Sequence, residues 1–574
     1  MATCLCLSII QCKSNSAEID SNGLQTTGWE QDIAVPKAVI QSTRSFRERL
    51  LSDPHRPGYH FVVPEDKGIP GDPNGAFYAN GRYHLMYLYL REGAGFSYGH
   101  VSSRDLLHWR HHPDAIGEGR PEDGPGNQED GVFSGGAFVD DDGAAYITYW
   151  QFVKDWQNDD RFADGNLGIA IAKSSDEHFD NWTKVPENPV IPSTHWGITV
   201  TQDGQYNELI YGSADPSQIW KEDGKYYMLT GNLLVLRKYG SGEHARADSL
   251  QHQGDHLYLF ESNDLEQWDY VGEFYERNPE WTQITEDNMC PSFLPLPSSP
   301  EGGPLSDKYL LLFISHNLGC QYYVGSYSNN QFFPENHGRM TWVDNDYFAP
   351  EALVDGNGRQ IMWAWMHDGV PDDQKEMSGD ERWEENYYGW TGTFGLPRSL
   401  WLGEDGALRM RPIKELETLR YNQKESKNLL IASDSALEMP VFGHELEELE
   451  IVFAPDITGQ AGVLVNCSDD GREQTSIYYD AISKELCVDA TKSSLDYGVR
   501  SVEKAPFELG PAEPLELRIF IDRSVVEVFA NDRQAIARRI YPRLGGTGVK
   551  IFSKGGDAKV LKATSWEIMP SNPY

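Results

Sequence analysis

The chain reads as an all-β protein, a five-bladed β-propeller followed by a C-terminal β-sandwich, and three observations carry that expectation. A strand, turn and strand unit of roughly 60 to 80 residues returns five times between Tyr59 and Leu408. Aromatic residues make up 12% of the chain and glycines number 54, with no long helical period, which favours short strands and tight turns. Beyond residue 425, apolar and polar residues alternate in short runs broken by Gly, Asn and Asp.

At 574 residues the chain exceeds what one core sustains. The expected division is a leader or linker over 1–45, the propeller over 46–410, a linker helix over 411–425 and the sandwich over 426–574. Near the start, the apolar run Leu5-Cys-Leu-Ser-Ile-Ile ends close to Cys12 and precedes a polar stretch, which resembles the end of a lipoprotein signal. An extracytoplasmic location is therefore expected, with membrane contact only through an N-terminal lipid, because no other stretch approaches the roughly 18 apolar residues of a spanning helix.

The five units follow in order. The first opens at Asp72-Pro-Asn-Gly-Ala-Phe-Tyr, turns at Asn80-Gly81 and leads into Ser103-Arg-Asp-Leu-Leu-His-Trp109. The second opens at Phe133-Ser-Gly-Gly-Ala-Phe-Val, turns at Asp142-Gly143 and ends in Ser175-Asp-Glu-His-Phe-Asp-Asn-Trp182. The third opens at Asp215-Pro-Ser-Gln, turns at Asp223-Gly224 and leads into Ser262-Asn-Asp-Leu-Glu-Gln-Trp268. The fourth opens at Cys290-Pro-Ser, and the fifth at Ala349-Pro-Glu351, turning at Asp355-Gly356. A proline just after a strand opening costs no ladder hydrogen bond, so these openings are expected innermost, around an axial cavity. Asp72 is then one member of a ring of residues facing that axis. The recurrent Trp109, Trp182 and Trp268 read as packing between blades.

Pro412 within Arg411-Pro-Ile-Lys-Glu-Leu-Glu-Thr-Leu-Arg420 suits the first turn of a short linker helix. Leu515-Glu-Leu-Arg-Ile-Phe-Ile and Ser524-Val-Val-Glu-Val-Phe-Ala alternate as sandwich strands.

Acidic residues (88) outnumber basic ones (49), for a net charge of −39, which repels nucleic acid and anionic membranes and suits a neutral substrate. Of seven cysteines, Cys4, Cys6 and Cys12 cluster at the start, and Cys290, Cys320, Cys467 and Cys487 lack metal-ligand spacing. Cys467 and Cys487 either pair across neighbouring strands or stay as separate thiols.

The ordered motifs resemble glycoside hydrolase family 32, the invertases, inulinases and levanases. They are His60-Phe-Val-Val-Pro leading to Asp72-Pro-Asn-Gly, Tyr98-Gly-His-Val-Ser-Ser-Arg-Asp, Phe133-Ser-Gly, Asp215-Pro, Cys290-Pro, Gly389-Trp-Thr-Gly, and Asp522-Arg-Ser-Val-Val-Glu-Val-Phe529. The resemblance implies retaining hydrolysis of β-fructofuranosides in sucrose or in an oligo- or polysaccharide. Asp72 would be the nucleophile and Asp215 would orient and stabilise the fructosyl group. Asn74, Phe133, Ser134, Glu351 and Trp390 are candidate sugar contacts, and no metal or organic cofactor is implied.

Four positions depart from the family pattern. Gly71 replaces an Asn, Leu88 stands near an expected Gln, Ala214 replaces the Arg before Asp215, and Met289 stands where the acid/base Glu precedes Cys-Pro. Loss of a proton donor removes general acid help worth about 10²–10⁴ in rate. Candidate replacements are Asp287, on the same face as Met289 if the strand extends that far, its neighbour Glu286, and Glu351. A related furanosidase of the arabinan type and a catalytically inactive carbohydrate-binding propeller are the alternative readings. Oligomeric state stays open.

Overall fold

The computed structural model describes residues 24–26, 34–36, 53–63, 69–90, 95–153, 166–194, 196–200, 209–232, 254–367, 392–495 and 500–572. Cys4, Cys6, Cys12 and Trp390 lie outside them. The chain forms two units, the first ending at Pro54 and the second spanning His55–Pro573. In the first, Leu24–Thr26 pairs antiparallel with Ala34–Pro36, a short ribbon inside the stretch expected to be a leader or linker.

The second unit begins with five antiparallel sheets of four or more strands, taken in chain order, with a two-stranded ribbon of Ile198–Val200 and Leu209–Gly212 between the second and the third. The first comprises Ile69–Ala79, Arg82–Leu90, Phe96–Ser103 and Trp109–His111; the second is built on Ala145–Phe152 and Gly168–Ser174 and entered through Gly131–Phe133 and Ala137–Val139. Trp220–Glu222, Lys225–Thr230, Tyr258–Ser262 and Trp268–Glu273 make the third, and Met289–Pro297, Leu305–Ser315, Gly319–Ser328 and Gln331–Arg339 the fourth. The fifth carries Tyr347–Val354, Gln360–Met366, Thr393–Phe394, Arg398–Leu402 and Leu408–Pro412.

Each sheet touches the next, and the last returns to the first. Gly75 N–H donates to Gly135 O at 3.1 Å, Thr148 Oγ1 to Ser217 O at 2.9 Å, and Gln218 Nε2 to Phe293 O at 2.7 Å. Gly303 N–H donates to Asn357 O at 2.9 Å, and Ala76 N–H closes the circle by donating to Glu351 Oε1 at 2.7 Å. That circularity leaves only short, protected sheet edges.

Local chemistry explains the repeats. Asn80-Gly81 and Asp223-Gly224 are two-residue hairpin loops with positive φ at both positions (52° and 73°, 48° and 80°), the backbone of a type I′ turn. The Ser and Asp ahead of each recurrent Trp form a turn: Asp105 Oδ1 accepts from Leu107 N–H at 3.0 Å and His108 N–H at 2.8 Å, and Asp264 Oδ1 from Glu266 N–H and Gln267 N–H at 2.9 Å each. Asp176 caps the second unit's turn in the same way, with Ser174 rather than Ser175 as its serine partner at 3.2 Å. Trp109, Trp182 and Trp268 all pack against the propeller's buried clusters.

The linker is a 3₁₀-helix over Lys414–Leu419, shorter than expected, because Pro412 ends the preceding strand instead of starting a helix. Two six-stranded sheets then face each other across a core of Leu449, Ile451, Val463, Ile477, Leu517, Val528 and Ile551. The strand Val525–Ala530 is buried on both faces. Val525 and Phe529 join the propeller-side cluster while Val526, Val528 and Ala530 join the sandwich core. Cys467 and Cys487 are separate free thiols, since Thr475–Asp480 runs between their strands.

Candidate active site

The strand openings converge with unusual backbones. Asp215, Cys290 and Ala349, each preceding a proline, have φ of 29°, 50° and 46°, in the left-handed region that side chains rarely adopt. The pairing register slips between Pro70 and Pro73, Asn74 and Phe77, Met289 and Ser292, and Phe348 and Glu351. Such bulges re-aim side chains, here those of Asp72, Cys290 and their neighbours.

Four groups meet directly. Ser134 Oγ donates a short hydrogen bond to Asp72 Oδ2, and Cys290 Sγ lies 3.7 Å from that oxygen and 3.3 Å from Asp215 Oδ2. Burial, then the charges of Asp215 and Asp72, push the Cys290 thiol far up, so it stays protonated and donates. Asn74 orders the first opening: its Nδ2 donates to Asp72 O at 2.8 Å and its Oδ1 accepts Gly135 N–H at 3.2 Å. Phe133 presents its carbonyl to Tyr98 OH at 2.7 Å and its ring to Trp150, with centroids 5.0 Å apart. Burial, then the charges of Asp215, Glu351 and Asp72, raise the Tyr98 hydroxyl far above its ordinary value.

Burial raises both site carboxyls. That of Asp215 is pushed up to about 7 by burial and next by the Asp72 charge, against the opposing pull of Cys290 and His316. Asp72 is raised by burial but drawn back by the Ser134 hydrogen bond, by His316 and by Cys290. Asp215 is raised by both burial and the Asp72 charge, whereas Ser134, His316 and Cys290 hold Asp72 back, so unlike environments suit these carboxyls to unlike roles. Glu351 is pushed well above the usual carboxylate range by burial, and the Ala76 amide only partly offsets this.

The segment before Met289 is built differently from the sequence expectation. The fourth-sheet strand starts at Met289, so the alternation of faces does not extend back to Asp287. Glu286 is fully buried and engaged by Arg339 at 2.9 Å, Gln321 at 2.9 Å, Ser315 at 3.1 Å and the Gln283 amide at 2.8 Å. Both oxygens of Asp287 hold one residue, His316: Oδ1 accepts its backbone N–H at 2.8 Å and Oδ2 lies 2.6 Å from its Nδ1. Met289 itself is 2% exposed and packs in the apolar core. His316 and the bridging role of Cys290 escaped sequence reasoning. The only signal was the Cys290 position inside a matched motif.

His84, His100 and His112 gather their ring nitrogens within 4.8 Å of one another. His100 and His112 are stacked with centroids 4.2 Å apart and planes 21° from parallel, so their lone pairs run side by side rather than converging as a tetrahedral ion requires. His84 Nδ1 and His100 Nε2 are hydrogen-bonded at 2.9 Å, and His112 Nδ1 is 2.6 Å from Asp180. The trio reads as a hydrogen-bonded stack.

Comparison with known proteins completes the picture. The family described as glycosyl hydrolases family 32 N-terminal domain matches residues 60–412, and its C-terminal counterpart matches residues 415–567. A sucrose-6-phosphate hydrolase of Zymomonas mobilis is 28% identical over 546 residues, spanning 92% of this chain and 94% of that protein. A levanase of Bacillus subtilis is 28% identical over 538 residues, 89% of this chain and 70% of that protein. The fructan 1-exohydrolase IIa structure from Cichorium intybus shares the fold with a TM-score of 0.71 at 22% identity, covering 90% of this chain and 98% of that one.

Proposed function

Because the chain belongs to glycosyl hydrolase family 32, we propose that it is a retaining β-fructofuranosidase acting on sucrose or fructans, with Asp72 as its nucleophile. The observation that carries this reading is the Cys290 thiol lying within hydrogen-bond reach of both Asp72 and Asp215, where three strand openings meet. An ionised Asp72 attacks the anomeric carbon of the fructosyl unit to form an ester, which water then cleaves. Asp215, its carboxyl pushed up to about 7 by burial and the Asp72 charge, hydrogen-bonds the sugar. Ser134 orients the Asp72 oxygen it touches, and Asn74 fixes the backbone beneath. Phe133 and Glu351 are assigned to the sugar cavity, with Glu351 also tying the fifth blade to the first.

Within this reading Met289 occupies the acid/base position of the family, on the strength of its place directly before Cys290-Pro291. A thioether carries no proton to give, so the glycosidic oxygen must be protonated from elsewhere.

Incubation of the parent and of Asp72→Asn with sucrose, inulin, levan and arabinan tests the assignment. The parent releases fructose, and the variant, equally folded by circular dichroism, is slower by at least about 10⁴-fold, the usual scale for loss of a nucleophile. Arabinose release, or equal fructose release by both proteins, contradicts it.

A further inference from the structure

His316 lies in the turn joining Leu305–Ser315 to Gly319–Ser328 and is held from several sides. A carboxylate only accepts, so the 2.6 Å contact with Asp287 places a proton on Nδ1 and leaves Nε2 as the working nitrogen. Asn345 Nδ2 donates to the His316 carbonyl at 2.8 Å, and the Phe348 ring meets the imidazole edge-on at 5.7 Å. The side chain is one-third exposed, and among the described residues Nε2 has no hydrogen-bond partner. Ile314, two residues before His316, pairs with Met289, and Cys290 beside Met289 touches both Asp72 and Asp215, so the turn sets the imidazole next to the strand opening that reaches the reacting pair, whose carboxyls its charge helps hold down.

We propose that His316, oriented by Asp287, is the proton donor to the leaving-group oxygen and the base for the incoming water, the work Met289 cannot do. The inference rests on the fructosidase reading. As an Asp72 oxygen bonds to the fructosyl anomeric carbon, the bond to the glycosidic oxygen breaks, and the Nε2 proton passes to that oxygen, releasing a neutral alcohol. Neutral His316 then takes a proton from the water that attacks the same carbon, restoring the imidazolium and the Asp72 carboxylate. Asp287 acts through His316 and is a positioning residue.

The surroundings favour a charged imidazole. Burial alone would lower the His316 pKa, but Asp287 first, then Asp215 and Asp72, outweigh it and raise it. His367, which packs against the same Phe348 ring as His316, is pushed down to about 4 by burial and stays neutral.

Values of kcat/KM for the parent, His316→Gln and Asp287→Asn on sucrose and on para-nitrophenyl β-fructofuranoside, followed against pH, test the proposal. This parameter stops at ester formation, and a nitrophenolate leaves without a proton. His316→Gln should slow sucrose by about 10²-fold or more, with a loss at least tenfold smaller on the aryl substrate. Azide should then raise its aryl turnover by replacing the water that needs a base. Asp287→Asn should move the alkaline limb on sucrose down by roughly one pH unit, which a merely structural role would not do. Equal slowing of both substrates by His316→Gln, sucrose turnover within threefold of the parent, or an unmoved limb in Asp287→Asn overturns the donor assignment while leaving the fructosidase reading intact. A parent inactive on both substrates overturns both.

Discussion

Asp522 of the sandwich and His60 of the propeller meet twice, through the His60 backbone N–H at 2.8 Å and its Nδ1 at 2.8 Å, both on Oδ2. The same carboxylate also takes the amides of Gly58 at 2.6 Å and Tyr59 at 2.9 Å, so it organises the chain as it runs into the first blade. Glu527, on the propeller-facing side of the doubly buried strand, lies 3.2 Å from His60 Nε2 and accepts Arg398 Nη2 at 2.9 Å and the Leu396 amide. Two distant motifs thus form one buried polar network between the two β domains.

Asp522→Asn removes the charge while leaving His60 and three amides to be satisfied. A cost of about 3 kcal/mol is expected, seen as a lower denaturant midpoint, because breaking one side of a buried ionic network strands its partner. An unchanged midpoint would sever the network from stability.

The network also predicts a pH window. Burial would lower the His60 pKa, but Asp522 and Glu527 raise it, so its contribution is complete below 6.5 and fades as pH rises through the raised value. Burial would raise Glu527, but Arg398 and His60 hold it down, so its contribution is complete above 4.5 and fades as pH falls through the depressed value. The thermal stability lost in a His60→Gln, Glu527→Gln double variant should therefore be greatest between those values. A loss independent of pH contradicts the charges assigned.

Asp215 works in the opposite sense. Its folded pKa of about 7 exceeds its ordinary 3.8, so the folded state holds an extra proton between them and loses stability as pH rises through that range. Asp215→Asn should melt higher than the parent at neutral pH, by up to on the order of 4 kcal/mol, and match it in acid. A variant less stable at neutral pH would contradict the raised carboxyl.

Ser134→Ala removes the hydroxyl that Asp72 accepts. The Asp72 pKa should rise further, moving the acidic limb of kcat/KM upward. The rate should fall by roughly 10–100-fold, the worth of a hydrogen bond to a charged group. A limb that stays in place would mean the short contact does not act on the nucleophile.

Much of this was legible in the sequence where one segment carries the whole signal. Asn80-Gly81 and Asp223-Gly224 dictate their hairpins, and Asp72, Ser134 and Asp215 sit inside contiguous motifs at strand openings. His316 was not legible because its meaning depends on Asp287, 29 residues earlier, and on the turn that brings the two together. Asp287 misled because side-chain alternation holds only within a strand, and this one begins at Met289. The alternation of Val525–Ala530 marked a strand but gave no sign that both faces would be covered.

The central claim is that Asp72 attacks the fructosyl carbon. Acid-quenching the enzyme during turnover of an aryl fructoside, followed by peptide mass mapping, tests it most directly. One hexosyl unit of added mass on the peptide carrying Asp72, localised by fragmentation to that residue and absent from Asp72→Asn, is the predicted result. Turnover with the label on another carboxylate, or with no covalent adduct and an inverted anomer as first product, would contradict it.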